Sequence, residues 1–352
     1  MRGLLCVLVS FISLAVPSCS FSDSGDDGGE PLGGARTVEG TIVDFETGMP
    51  VAGAVSIATS GLSPAPTVTV QGASFTISGV PENSAFQILA SVTGTHRQTF
   101  SDVIVVGDAD LRDVKVTAVS EAFLTTLANG FTLTPTAAKG VLLTHLVDDR
   151  GVAKAGVAAS NFSLASTTPI TPRFLAANLA PAPAATATSS SGWAVFFEVA
   201  PGVASLRAVT GATVTLDLPV SPIAAGTVTI ATVRATDGAV VLPTNVSFST
   251  QIVPIFGPKT SGGRGCEACH SGNGPGRDLG GLTLDGGVNP IYKELTTERA
   301  RVVLSAPETS PLLRMPSRED PPDGHPNTTF LSALDPDYLK ILVWIREGAK
   351  NN

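Results

Sequence analysis

The sequence predicts a multidomain protein: two tandem all-β sandwiches followed by a mainly α domain. Three observations carry this. The chain has 352 residues, more than one small domain needs. Short β-branched segments, separated by turn residues at roughly ten-residue spacing, recur from 38 to 118 and again over 136–235. After residue 246 the grammar changes: both Tyr, the pair Cys266 and Cys269, and two of the four His lie there, and helix signals appear.

The first segment, MRGLLCVLVSFISLAVPSCS, has Arg2 ahead of an apolar run from Gly3 to Val16 and small residues behind it. That pattern is a signal peptide over 1–18, too short to remain as a membrane span. Val16-Pro17-Ser18-Cys19 resembles the lipobox of bacterial lipoproteins, which implies lipidation of Cys19; ordinary secretory cleavage nearby is the alternative. Residues 19–37 are polar and Gly-rich, as a flexible tether from an anchor would be. The chain is therefore expected to be exported to the periplasm or cell surface and lipid-anchored to a membrane. Its net charge of −8, with no block of Lys or Arg, excludes the basic patch that nucleic-acid binding needs.

The first module reads as strands in order. VEGTIVDFETGMPVAGAVSIA gives a strand, a turn from Asp44 to Met49 with Thr47-Gly48 at its tip, and a second strand after Pro50. ASFTISGVP, AFQILASVTG and DVIVVGDADLRDVKVTA supply the rest of a small antiparallel sandwich. The second module repeats the grammar: HLVDDRGVAKAGVAAS parallels IVDFETGMPVAGAVSI, and GWAVFFEVAPGVASLRAVTG parallels ASFTISGVPENSAFQILASVTG. Copies about a hundred residues apart mean tandem sandwiches, since solenoid repeats are far shorter. The Pro/Ala/Thr/Ser-rich stretch 167–191 reads as a long mobile loop. His96 and His145 stand alone among Thr and Val and are expected to be structural, and acidic turn residues such as Asp44, Asp148 and Asp149 need no function beyond the turn. The run from Gly40 through Asp44, Thr47-Gly48, Pro50 and Gly53 resembles the opening of carboxypeptidase-regulatory-like domains, which are transthyretin- or immunoglobulin-like sandwiches. The resemblance covers the first module closely and the second loosely, and it implies a spacer or binding surface and no catalysis.

In the third region, 246–350, the clearest element is the last. Asp335 suits an N-cap, Pro336 the first helical position and Gly348 the stop. Tyr338, Leu342 and Ile345 share a face with Leu339 beside them, while Lys340 and Glu347 are expected to stay wet.

Cysteine usage singles out GRGCEACHSG, residues 263–272. Cys6 falls in the signal peptide and Cys19 at the lipidation site, so Cys266 and Cys269 alone remain in the mature body. A redox disulfide normally sits between strand and helix of a βαβ unit, which is not evident here. Structural zinc needs four ligands, and the chain would have to recruit His325 and something else. Haem c needs what is present: two Cys three apart, on one side of a helical turn, for thioethers to the vinyl groups, and the adjacent His270 for the iron. The glycines around the motif are expected to let the chain pass close to the porphyrin edge.

The order VPIF (253–256), CEACH, GLTLD (281–285), SPLLR (310–314) and DPDY leading to WIREGA (335–349) resembles monohaem cytochrome c domains of exported bacterial proteins. The resemblance spans nearly all of the last hundred residues and implies that one covalent haem c is held by Cys266, Cys269 and His270. The expected sixth ligand is His325, in a Pro/Gly-rich loop before the last helix; Met315 is the alternative, and the two differ in consequence, since Met/His ligation raises the reduction potential. The expected function is that of an electron carrier working with a redox partner protein, and the expectation is against an enzyme: a haem peroxidase would need an open distal position with an acid/base pair. The rival from another class is a cell-surface binding or adhesion protein whose haem domain is a structural or sensing module.

Overall fold

A computed structural model describes residues 34–352 apart from 63–64, 165–169, 207–208, 210, 273, 318–324 and 326–328. The signal peptide, Cys19 and the first part of the tether lie outside the described residues. The remainder of the tether is not loose: Ala35, Arg36 and Thr37 already pair with Pro81, Val80 and Ser78.

The chain is mainly β, with mixed sheets. Its first part contains β1 (Ala35–Asp44), β2 (Val55–Ser60), β3 (Thr67–Gln71), β4 (Ser74–Pro81), β5 (Ser84–Val92), β6 (His96–Arg97), β7 (Thr99–Phe100), β8 (Ile104–Val106) and β9 (Leu111–Ser120). One sheet runs β3-β4-β1-β9-β6 and faces a second formed by β7, β5 and β2, with β8 on the far end of β5. Alternation along the strands explains the layering. Phe75 and Ile77 of β4, Val38 and Ile42 of β1 and Phe86 and Ile88 of β5 all point into one buried core. The expected turn after β1 is built as its sequence requires: Asp44 Oδ1 accepts hydrogen bonds from the Glu46 and Thr47 N–H groups and the Thr47 hydroxyl. Its other oxygen lies 3.1 Å from His96 Nε2, so the histidine that stands alone in the sequence is paired in the fold.

A helix that the strand reading passes over follows at once. In α1 (Glu121–Gly130) Ser120 caps the Phe123 N–H, and Phe123, Leu124, Leu127 and Ala128 are buried. Then come β10 (Gly140–Val147), β11 (Arg173–Phe174), β12 (Trp193–Val199), β13 (Gly202–Ala204), β14 (Val214–Asp217), β15 (Ser221–Ile223) and β16 (Val228–Asp237). The parallel between the modules extends to topology. β1 lies between antiparallel β4 and parallel β9, and β10 lies between antiparallel β12 and parallel β16. β10 is buried on both faces: Leu142 and Leu146 pack with Phe174, Phe196 and Val233, while Leu143 packs under α1 with Phe197 and Ile230. The stretch expected to be a mobile loop is instead packed in its described part, 170–191. β11 pairs with β12, and Phe174 and Leu175 are fully buried, because this Pro-rich segment carries two large apolar side chains that complete both cores.

The two β modules are not separate beads. β16 pairs in parallel with β7, Val228 opposite Thr99 and Thr229 opposite Phe100, so one nine-stranded sheet runs through both. Gln87 Nε2 donates to the Val220 carbonyl, and the Asp102 carboxylate accepts the Thr232 N–H. Burial pushes the Asp102 carboxyl above its ordinary value, against the pull of its bonds to Thr232 and Val103. His145 stacks on Trp193 of the neighbouring strand with centroids 4.7 Å apart, and burial lowers its pKa.

The C-terminal part is built of helical turns: α2 (Val253–Phe256), α3 (Glu267–His270), α4 (Pro275–Gly280), α5 (Val288–Lys293), α6 (Pro311–Arg314) and α7 (Pro336–Arg346). They surround one apolar core reaching from Val246 to Ala349. α7 starts as its sequence requires, with Asp335 accepting the Asp337 and Tyr338 N–H groups and Pro336 at the first helical position. It is not, however, a one-faced amphipathic helix: Ile341, Val343 and Trp344 are buried with the expected face, because surrounding turns cover it on nearly all sides. Glu347, expected to be wet, accepts hydrogen bonds from the Asn245 and Val246 N–H groups. No helix among the described residues is long and apolar enough to cross a membrane.

Candidate cofactor site

The CEACH segment folds as one turn of helix set between two backbone anchors. Ahead of it, the Arg264 N–H donates to the Ile255 carbonyl at 2.7 Å and the Gly265 N–H to the Gly257 carbonyl at 2.8 Å, tying the chain to α2. Behind it, the His270 carbonyl accepts the Leu284 N–H at 2.6 Å, and Asp285 accepts the Gly272 N–H at 2.8 Å. Cys266 stands at the N-cap of α3 and Cys269 within it, and both are half-buried thiols. Cys266 packs on the C-terminal core, and burial pushes its thiol up to about 11. A disulfide catalyst needs the opposite, a depressed thiol that ionises near neutrality.

His270 is oriented by its backbone neighbour. Its Nδ1 lies 3.1 Å from the Leu282 carbonyl oxygen. A carbonyl only accepts, so Nδ1 carries the hydrogen and the lone pair is left on Nε2, the arrangement that ligating histidines adopt. Burial lowers the pKa of His270, and the Arg301 charge acts in the same direction, against its hydrogen bonds to the Leu282 and Gly276 backbone. A neutral imidazole results, which is the form that binds a metal.

Two glycines after the motif have a steric requirement of their own. A Cβ on Gly276 would lie 2.8 Å from both Cε1 and Nδ1 of His270 and 2.9 Å from the Cys269 carbonyl oxygen. A Cβ on Gly274 would lie 2.3 Å from that same oxygen. These residues are small because the chain folds back against its own Cys269-His270 unit.

Of the two further candidates, His325 is brought to His270: the ring centroids are 6.1 Å apart and the planes 19° from parallel. Met315 closes α6, half-buried, its N–H donating to the Pro311 carbonyl. Among the described residues no group of three or more His, Cys, Asp or Glu side chains converges as a metal site. Sequence reasoning missed the Leu282 carbonyl, which no side-chain pattern reports, and Arg264, which bridges the motif to the start of α7.

A second feature lies away from this motif. A cavity of about 410 Å³ opens where the two β modules meet, lined by Phe86, Gln87, Val203, Val220, Ile223 and Leu331 among others. Leu331 reaches it because its carbonyl accepts the Val220 N–H and Ser332 bridges Pro219.

No protein-family model and no curated protein matches the chain. Solved structures with some likeness include the TIE protein of Bacillus anthracis, at 11% identity and a TM-score of 0.20 over 58% of this chain and 34% of that one. A streptococcal ancillary pilin gives 14% identity and a TM-score of 0.19 over 57% and 62%. The minor pilin of Streptococcus agalactiae gives 14% and 0.19 over 60% and 100%. The chain thus spans about a third of the first of these proteins and less than two thirds of the second. Scores this low add nothing to the fold read from the sheets themselves.

Proposed function

We propose that this protein is an exported, membrane-tethered c-type haem protein that carries single electrons in the cell envelope. In this reading Cys266 and Cys269 hold one haem through thioethers, His270 is the proximal ligand and His325 the sixth. The observation that carries it is the facing histidine pair: Nδ1 of His270 is engaged by Leu282, and the His325 ring lies nearly parallel 6.1 Å away. Those two histidines are the imidazoles of the C-terminal part that would hold the iron. Both thiols lie within one helical turn of His270, and the Cys266 thiol has no depressed pKa that would mark it for disulfide chemistry.

When bound, haem supplies a one-electron iron couple, and two imidazole ligands set it lower than a Met/His pair would. The chain's own residues supply attachment, the Nδ1–Leu282 bond that fixes the His270 tautomer, and the apolar packing around Cys266 that keeps water from that side. The β modules hold this unit away from the anchor, and the electron partner is another exported protein.

Haem staining of the full chain on a denaturing gel, after export in cells with cytochrome c maturation, tests the reading. The whole chain is needed because the second β module bonds to Leu331 and Ser332. A stained band that vanishes in Cys266→Ala/Cys269→Ala supports it; a folded, unstained wild type overturns it.

A further inference from the structure

The cavity of about 410 Å³ between the β modules takes no part in the haem reading, and none of its lining residues comes from the Cys266–His270 turn. Three parts of the chain build its wall: Phe86 and Gln87 belong to the first module, Val203 and Ile223 to the second, and Leu331 to the C-terminal part. Phe86 is packed in the core of the first module and Ile223 in that of the second, so the wall is an extension of both cores.

That wall is held in place. β16 pairs with β7 across the junction, and the Asp102 carboxylate accepts the Thr232 N–H. The Val220 carbonyl accepts from Gln87, while the Val220 N–H donates to Leu331. The space is therefore built into the junction, and its volume falls within the roughly 300–1,000 Å³ of small-molecule sites.

The lining decides what fits. None of these residues is charged, so a charged molecule would lose its water and find no counter-ion. The wall does carry one buried polar group without a partner. Gln87 is 8% exposed, and its Nε2 donates to the Val220 carbonyl at 2.8 Å. A carbonyl only accepts, which fixes the orientation of the amide and leaves Oε1 as the unused acceptor. No described residue donates to Oε1. The fully enclosed side-chain atoms that lack a partner among the described residues are Arg36 Nε, Asp217 Oδ1 and Arg301 Nε, so Gln87 Oε1 is open to the cavity its residue lines. Ser60 stands directly opposite Gln87 in the β2–β5 ladder and lines the same cavity, which puts its hydroxyl on the same face. One alcohol group matches both: it donates to Gln87 Oε1 and accepts from Ser60.

We propose that this cavity binds a small, uncharged, mainly apolar molecule carrying a hydroxyl group, enclosed by Phe86, Val203, Ile223 and Leu331 and oriented by Gln87 and Ser60. The site does not depend on haem.

The test titrates the full chain, by ligand-observed NMR, with three alcohols of different shape: naphthol, borneol and octanol. Each is paired with its methyl ether, and naphthalene sulfonate supplies a charged probe. At least one alcohol is expected to bind, one molecule per chain, about tenfold more tightly than its ether, the step that one hydrogen bond to an otherwise unsatisfied acceptor brings. The sulfonate is expected not to bind. Val203→Trp, which fills the cavity from a half-buried position, should weaken the alcohol at least tenfold at an unchanged urea midpoint. Gln87→Met should bring alcohol and ether to equal affinity. No binding by any of the three alcohols, binding of the sulfonate as tight as theirs, or an affinity that Val203→Trp leaves unchanged overturns the proposal. Sedimentation that shows a dimer, dissociated by Val203→Trp, also overturns it, because a second copy then covers the cavity. If Val203→Trp does not fold, Ser60→Leu narrows the same space, and the alcohol–ether comparison in wild type stands by itself.

Discussion

Replacing Gly276 by Ala should displace His270, whereas the same change at Gly280, later in the same helix, should be tolerated. The difference is geometric. A Cβ at Gly276 meets Cε1 and Nδ1 of His270 at 2.8 Å and the Cys269 carbonyl oxygen at 2.9 Å, while a Cβ at Gly280 comes no closer than 3.6 Å, to Cε1. At both positions Ala gains up to about 1 kcal/mol in helix preference. At Gly276 this is outweighed by overpacking, typically about 1–3 kcal/mol, because His270 has nowhere to retreat. Its ring is tied to the Leu282 carbonyl and its own carbonyl to the Leu284 N–H. The expected net result is a loss of about 1–2 kcal/mol for Gly276→Ala and a neutral or slightly stabilising effect for Gly280→Ala. Urea unfolding followed by Trp344 fluorescence, in a Trp193→Phe background, reads the C-terminal part alone. The His270 Cε1 proton resonance reads the ring. Equal stability of the two variants, with an unmoved His270 resonance in Gly276→Ala, would refute the claim that close backbone return against His270 is what demands glycine there.

Two further outcomes follow from the packing and the charges. Trp344 is 1% exposed, lies 5.0 Å from Phe248 and donates from Nε1 to the Lys350 carbonyl; Trp344→Ala should cost the C-terminal unfolding transition about 3–5 kcal/mol, and a loss near the roughly 0.5 kcal/mol of a surface change would show that this core is not what holds the region. The hydrogen bond from Arg97 holds the Glu121 carboxyl below its ordinary value of 4.5, so its contribution is complete above that pH and is lost as the pH falls through the lowered pKa. Because 38% of Arg97 and 46% of Glu121 remain exposed, the effect should stay under about 1 kcal/mol, and denaturant midpoints measured between pH 3 and 6 should lose this slope in Glu121→Gln.

Much of the local structure was legible in the residues. The Asp44 turn, the Asp335-Pro336 helix start and the alternating strands of both modules depend on groups a few positions apart, and such signals survive any tertiary context that does not oppose them. Some signals were present and passed over. Ser120 followed by Phe123, Leu124, Leu127 and Ala128 has the cap and the i, i+3, i+4 spacing of the helix that forms there, and the Phe174-Leu175 pair inside a Pro-rich stretch already argued against a loose loop. Gly274 and Gly276, by contrast, give no sign in the sequence of the Cys269-His270 backbone and ring that lie beside them.

By itself, then, the sequence determined that the chain is β-rich in its first two thirds, that its turns and helix starts fall where they do, and that Cys266, Cys269 and His270 share one helical turn. Only the tertiary structure decided that β16 joins β7 to make one sheet of two modules, that His325 faces His270, and that Arg264 spans from the motif to Asp335, Asp337 and Phe330. The physical reason is one of range. Caps, turns and periodicity are satisfied by neighbours along the chain, whereas a strand edge, an imidazole or a guanidinium takes its partner from whichever distant surface the packing of apolar cores brings to it.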